Sequence, residues 1–144
     1  MIELDPEIER FISERRVARL ATADAGGRPQ VVPICYVFDG DAFFSPLDEK
    51  PKSVEPFKLR RVRNIEQNPQ VSLVIDEYSE NWSKLVYVLV DGKAEIIQTV
   101  HRDHQRAVLL LREKYSQYRW MAIGARPMIR IVPERVSRWQ GNQK

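Results

Sequence analysis

Between Asp5 and Arg16 apolar residues recur at Ile8, Phe11 and Ile12, a spacing that predicts a helix opened by Asp5 as N-cap and Pro6 at its first position. The pattern then switches to period two. "VARLATA" (17–23) predicts a strand, "DAGG" its turn, and "PQVVPICYVFD" (29–39) a second strand rich in β-branched and aromatic residues. Pro33 removes a ladder donor from that strand and predicts an edge, a bulge or a break there. Asp39-Gly40 predicts a hairpin turn into a third strand, "DAFFSP", followed by the loop "LDEKPKSVEP". From Pro56 to Gln67 the period is helical again: Leu59, Val62 and Ile65 make one stripe, while Lys58, Arg60, Arg61 and Asn64 point elsewhere. Asn68-Pro69 stops this helix. "VSLVID" (71–76) and "KLVYVLVDGKAEIIQ" predict two more strands, the second with a bulge or turn at Asp91-Gly92. A helix over 101–118 and a last strand, "PMIRIVPERVSRW", complete the chain.

Strands joined by short turns, with helices between groups of them, predict a mainly antiparallel sheet with peripheral helices, an α+β domain built on a small barrel. Length (144 residues) and the absence of repeats or linkers predict a single domain over 1–144. Cys35 is the only cysteine, which excludes an intrachain disulfide and fits a reducing cytoplasm. No apolar run approaches the roughly 20 residues of a membrane span, so no membrane partner is expected.

Charge narrows the function classes. The net charge of +3 is mild, and the basic residues do not spread over several elements, so nucleic-acid binding is not expected. "FKLRRVRNIEQNP" nevertheless places Lys58, Arg60, Arg61 and Arg63 within six positions, with Lys50 and Lys52 in the loop before it. A helix N-terminus with arginines suits a phosphate; a solvated face fits the same residues. His101 and His104 read as two surface histidines, Cys35 as a small buried apolar residue, and no nucleophile motif, phosphate loop or metal cluster is present. Neither a catalytic residue nor a metal site is therefore expected. Trp82 and Trp139 stand in polar surroundings, suited to a partner, a planar ligand or partial burial under a loop.

Taken together, "LATADAGGRPQVVPICYVFDGDAFFSPLDEKPK", "LRRVRNIEQNPQVSLVIDEY" and "NWSKLVYVLVDGKAEII" closely resemble the split-β-barrel superfamily of pyridoxamine 5′-phosphate oxidase, in particular its branch of deazaflavin (coenzyme F-420)-dependent oxidoreductases. The resemblance implies a six-stranded, mainly antiparallel split β-barrel, and a homodimer with the cofactor at the subunit interface. It implies coenzyme F-420, with FMN as the alternative, and hydride transfer to or from a small planar substrate. A non-catalytic flavin-binding or carrier protein is the reading from another class. By the same resemblance Val31, Val32, Pro33 and Ile34 lie along the ring and Phe44 and Ser45 approach the cofactor's chain or phosphate. Arg61 binds phosphate, Arg60, Lys50 and Lys52 line the anionic pocket, and Trp82 and Ser83 arrive from the other subunit. The chain lacks the extended C-terminal substrate segment of true pyridoxamine-phosphate oxidases, which argues against oxidation of vitamin B6.

Overall fold

The computed structural model describes residues 2–47 and 58–141. Helix α1 spans Pro6–Glu14, with the Asp5 carboxylate accepting from the Glu7 N–H at 2.8 Å. Its apolar face is set down as the pattern predicts: Ile12 is buried, and Ile8 and Phe11 pack on the same core.

Strands β1 (Ala18–Ala23) and β2 (Pro29–Ile34) form a hairpin. The turn is organised by Asp24, whose carboxylate accepts from the N–H groups of Gly26 and Arg28 and from Arg28 Nε. Those Arg28 bonds hold the Asp24 carboxyl below the usual carboxylate range.

The strand expected over 29–39 is two strands. β2 stops at Ile34, and β3 is only Val37–Phe38. The break follows Pro33 closely, and Tyr36 shows what replaces the ladder there. Its ring is fully buried. Its N–H donates to Tyr115 Oη at 3.0 Å, and its carbonyl accepts from Tyr115 Oη at 2.9 Å and Lys114 Nζ at 3.1 Å. Side chains from the last residue of the last helix and from its C-cap thus satisfy backbone groups that a continuous strand would have paired.

β4 (Phe43–Pro46), α2 (Arg60–Gln67), β5 (Gln70–Glu77), β6 (Val86–Ile97), α3 (His104–Lys114) and β7 (Met128–Gln140) follow. The sheet runs β2-β1-β5-β6-β7-β4-β3, with every neighbouring pair antiparallel. The split barrel therefore has seven strands among the described residues rather than the six expected, the extra one arising from the break before β3. The helix expected over 101–118 is shorter, because Tyr115 is extended and a separate 3-10 turn, Ser116–Arg119, takes up the rest.

Between Asp91 and Gly92 the β6–β7 register shifts, leaving Glu134 as the extra residue in β7. Glycine is required at 92: a Cβ there would collide with the Val132 carbonyl oxygen.

Two apolar cores result. One lies under α1, α2 and strands β1, β5 and β6 and includes Leu20, Ile34, Val62 and Leu73; the other joins α3 to β3, β4 and the start of β7 through Phe44, Leu111 and Met128.

Candidate functional site

Helix α2 is where the sequence concentrates its positive charge. Val62 and Ile65 are buried and Leu59 packs against the same core, so the predicted stripe is the packing face. The α-helix itself begins at Arg60; Leu59 sits at its N-cap and its side chain can offer no capping bond. The expected start at Pro56, the loop before it, and Lys50 and Lys52 lie outside the described residues. Asn64, expected to point away from the apolar stripe, is buried, and its Nδ2 donates to Thr22 Oγ1 at 3.0 Å. This bond ties α2 to β1 and fixes which way the first turn points.

A cleft of about 370 Å³ opens beside that turn. Val17, Val32, Pro33, Ile34, Cys35, Ser45, Pro46, Tyr118 and Arg61 line it. Arg61 thus comes together with β4 and with the end of β2, whose Val32 lies 29 residues before it in sequence. The cleft sits where the two cores meet: Ile34 belongs to the first, and Tyr118 to the second. Its β2 wall is a sheet edge, so alternate backbone groups of that strand face away from β1.

Of the residues expected at the site, Val32, Pro33, Ile34, Ser45 and Arg61 line this cleft. Val31 does not; it is 61% exposed and alternates away from Val32. Phe44 is buried in the second core, with Ser45 presented to the cleft in its place. Arg60 is exposed and reaches the Pro29 carbonyl, Nη2 to O 3.4 Å, at the other end of β2. Trp82 and Ser83 lie in a 3-10 turn, Trp82–Lys84, capped by Asn81 Oδ1. They do not line the cleft of their own chain, and Trp82 is 68% exposed. Trp139 stacks on Tyr87, ring centroids 5.8 Å apart, in a separate groove of about 280 Å³.

Three cleft residues carried no sequence signal. Val17 immediately precedes β1, Pro46 is the last residue of β4, and Tyr118 reaches the wall through the turn after α3. Cys35, read as buried, is half-buried in the wall because the chain breaks out of β2 at this point. The histidine reading also changes. His104 is fully buried, with Nε2 2.7 Å from the Arg126 carbonyl oxygen, and His101 is half-buried, its Nδ1 accepting from the Asp103 N–H. Both are structural. No group of three or more potential metal ligands occurs among the described residues, and no helix among them is long and apolar enough to cross a membrane.

The electrostatics of α2 suit an anion. Arg60 and Arg61 occupy the first turn, at the positive end of the helix dipole, with no acidic residue there. An aliphatic wall, a polar Ser45 and a guanidinium at one end together match an amphipathic ligand with an anionic group.

Comparison with known proteins places the chain in a family. The chain is 38% identical over 74 residues to the heme oxygenase HutZ of Vibrio cholerae; the match takes in 51% of this chain and 38% of that protein, so the chain spans well under half of the curated relative it matches. Among solved structures, HutZ of Vibrio cholerae, a heme storage protein, superposes with a TM-score of 0.72 at 23% identity over 97% of this chain and 96% of that one. The conserved hypothetical protein Rv2991 of Mycobacterium tuberculosis gives 0.75 at 22% identity over 97% and 86%. An F-420 reductase gives 0.65 at 23% identity over 90% and 94%. These structural likenesses establish the split-barrel fold. The family model of pyridoxamine 5′-phosphate oxidase matches residues 4–140, and the chain belongs to that family.

Proposed function

We propose that the cleft holds a flavin-type cofactor, coenzyme F-420 in the first instance and FMN as the alternative, in a cytoplasmic, single-domain homodimer that acts as an oxidoreductase on a small planar substrate. The observation that carries this reading is the meeting of Arg61 with Val32, Pro33, Ile34 and Ser45 in one cleft. Arg61 binds the phosphate at the positive end of the α2 dipole, and the β2 edge lies along the ring. At about 370 Å³ the cleft is near the lower end of the roughly 300–1,000 Å³ of small-molecule sites, which supports completion by a second subunit bringing Trp82 and Ser83. Lys50 and Lys52 are assigned to the acidic tail that distinguishes F-420 from FMN. When bound, the deazaflavin accepts or supplies a hydride, so the protein needs only to orient ring and substrate.

The heme named for the HutZ relatives is less well served by the described residues. Neither histidine lines the cleft, and the Nε2 of His104 already faces a backbone carbonyl. A flavin-binding carrier without catalysis uses the same contacts and differs in whether substrate reaches the ring.

Titration with F-420, FMN and hemin ranks the three cofactors. Micromolar binding of F-420 or FMN is expected, and Arg61→Ala should weaken it by about 1.5–3 kcal/mol, the scale of a charge-assisted hydrogen bond. Failure of both to bind removes the reading, and an unchanged dissociation constant in the variant removes Arg61 from the site. Rapid mixing of the reduced, bound cofactor with quinone or enone acceptors separates an oxidoreductase from a carrier. Light scattering checks the dimer.

A further inference from the structure

α3 ends on a lysine in unusual surroundings. Lys114 Nζ lies 4.0 Å from the centroid of the Tyr36 ring and 5.3 Å from that of Tyr115, and it donates to the Tyr36 carbonyl at 3.1 Å. It makes no ion pair among the described residues; Arg16 stacks on Tyr115 and donates to the Lys114 carbonyl at 2.6 Å. Beside it is a cavity of about 310 Å³, lined by Ser13, Val37, Phe38, Leu110, Glu113 and Lys114 itself. None of these residues lines the cofactor cleft.

We propose that this cavity is a carbonyl-trapping site, in which Lys114 Nζ condenses with a small uncharged aldehyde. Val37, Phe38 and Leu110 provide an apolar wall for the aldehyde's substituent, and the Glu113 carboxylate at the same cavity disfavours anionic carbonyl compounds. The unprotonated Nζ attacks the carbonyl carbon, forming the C–N bond, and a proton passes from the nitrogen to the carbonyl oxygen. A second proton from solvent lets that hydroxyl leave as water, and the nitrogen lone pair closes the C=N⁺ bond. The net reaction is amine plus aldehyde plus one proton to iminium plus water, with no change in oxidation state. The iminium keeps its positive charge over the Tyr36 ring, so the cation–π contact survives the reaction.

The protonation state supports the same site. Burial, and next the Arg16 guanidinium, bring the Lys114 ammonium down from 10.5 to about 8, against a weaker opposing pull from Cys35. The other titratable groups around it are Tyr36 and Tyr115, both shifted upward by burial and so neutral at pH 7, and Glu113 at the cavity. At pH 7 about a tenth of Lys114 is then the free amine, against well under about a thousandth of an exposed lysine. Allowing for its lower intrinsic nucleophilicity, Lys114 should react about tenfold faster than an exposed lysine.

The test treats the intact protein at pH 7 with limiting propionaldehyde and cyanoborohydride, which reduces each iminium to a stable secondary amine, and maps the added mass by peptide mass spectrometry. Lys114 should be labelled about tenfold faster than exposed Lys58, Lys84 and Lys93. Leu110→Trp, which fills the cavity, should slow Lys114 severalfold and leave Lys84 and Lys93 unchanged. Equal labelling of all four lysines in the wild-type protein overturns the proposal without recourse to any variant. Fast labelling that Leu110→Trp leaves untouched overturns the cavity as its origin.

Discussion

The first turn of α2 and the last turn of α3 carry similar charge at opposite ends of a helix, and only one of the two placements favours the helix itself. At α3, Arg112 and Lys114 stand at the negative end of the dipole, and each finds carbonyl oxygens: Arg112 Nε donates to Tyr118 at 3.1 Å and its Nη2 to Met121 at 3.2 Å, while Lys114 holds Tyr36. At α2, Arg60 and Arg61 stand at the positive end beside a leucine that cannot cap. The α3 cations hold backbone together. The α2 cations oppose their own helix, and an anion in the cleft would relieve that opposition. A run of basic residues therefore acquires meaning from the helix end it occupies.

The largest effect that could break this contrast is expected at Arg112. Arg112→Ala removes two bonds that hold residues 118–121 under α3 and should lower the unfolding free energy by about 2–3 kcal/mol in urea titrations. An unchanged midpoint would mean that α3's cations are as dispensable to the fold as a solvated face.

Next in size is a pH dependence centred on Lys114. Its folded pKa of about 8 lies below the unfolded 10.5, so between those values the unfolded chain binds more protons and stability rises with pH. Tyr36 and Tyr115 act in the opposite sense. Burial raises both above 10, Tyr115 to about 12, so the stability they contribute declines as pH rises beyond 10. Urea midpoints from pH 7 to 12 should climb from about pH 8 to 10 and then fall. Lys114→Met should abolish the climb and keep the fall; a climb that persists in the variant would assign it to another group.

The smallest effect belongs to Arg60→Glu, which puts an acid in the first turn of α2. It should stabilise the ligand-free protein by about 0.5 kcal/mol, the scale of a charge–dipole contact, and this gain should shrink at high salt. Destabilisation of similar size would show that the 3.4 Å contact to the Pro29 carbonyl outweighs the dipole.

Periodicity made most of this fold legible. It placed α1, the β1–β2 hairpin, the stripe of α2 and the irregularity at Asp91-Gly92, because each is decided by neighbours within a few residues. The proline in β2 was legible as a defect, but the exact break was not, since the bonds that compensate Tyr36 come from Tyr115, 79 residues away. The same reason hid Tyr118 from the site and His104 from the core: what each touches is set by tertiary packing. Asn64 was misplaced because a polar residue at a helical position can be satisfied inside, here by Thr22, as readily as outside. Family resemblance, rather than spacing, singled out Arg61 and the residues of β2, and it had no access to the cavity at Lys114.

Pro33 has a further consequence, for the protein's life in a crowded solution. Among the described residues the sheet ends on two open strands, β2 and β3. β3 is two residues long, too short to template a foreign strand. β2 is long enough, and its exposed Val31 would favour such pairing, but the pyrrolidine nitrogen offers no donor to continue a ladder. The residue that opens a wall of the cleft thereby also protects the barrel against edge-to-edge aggregation.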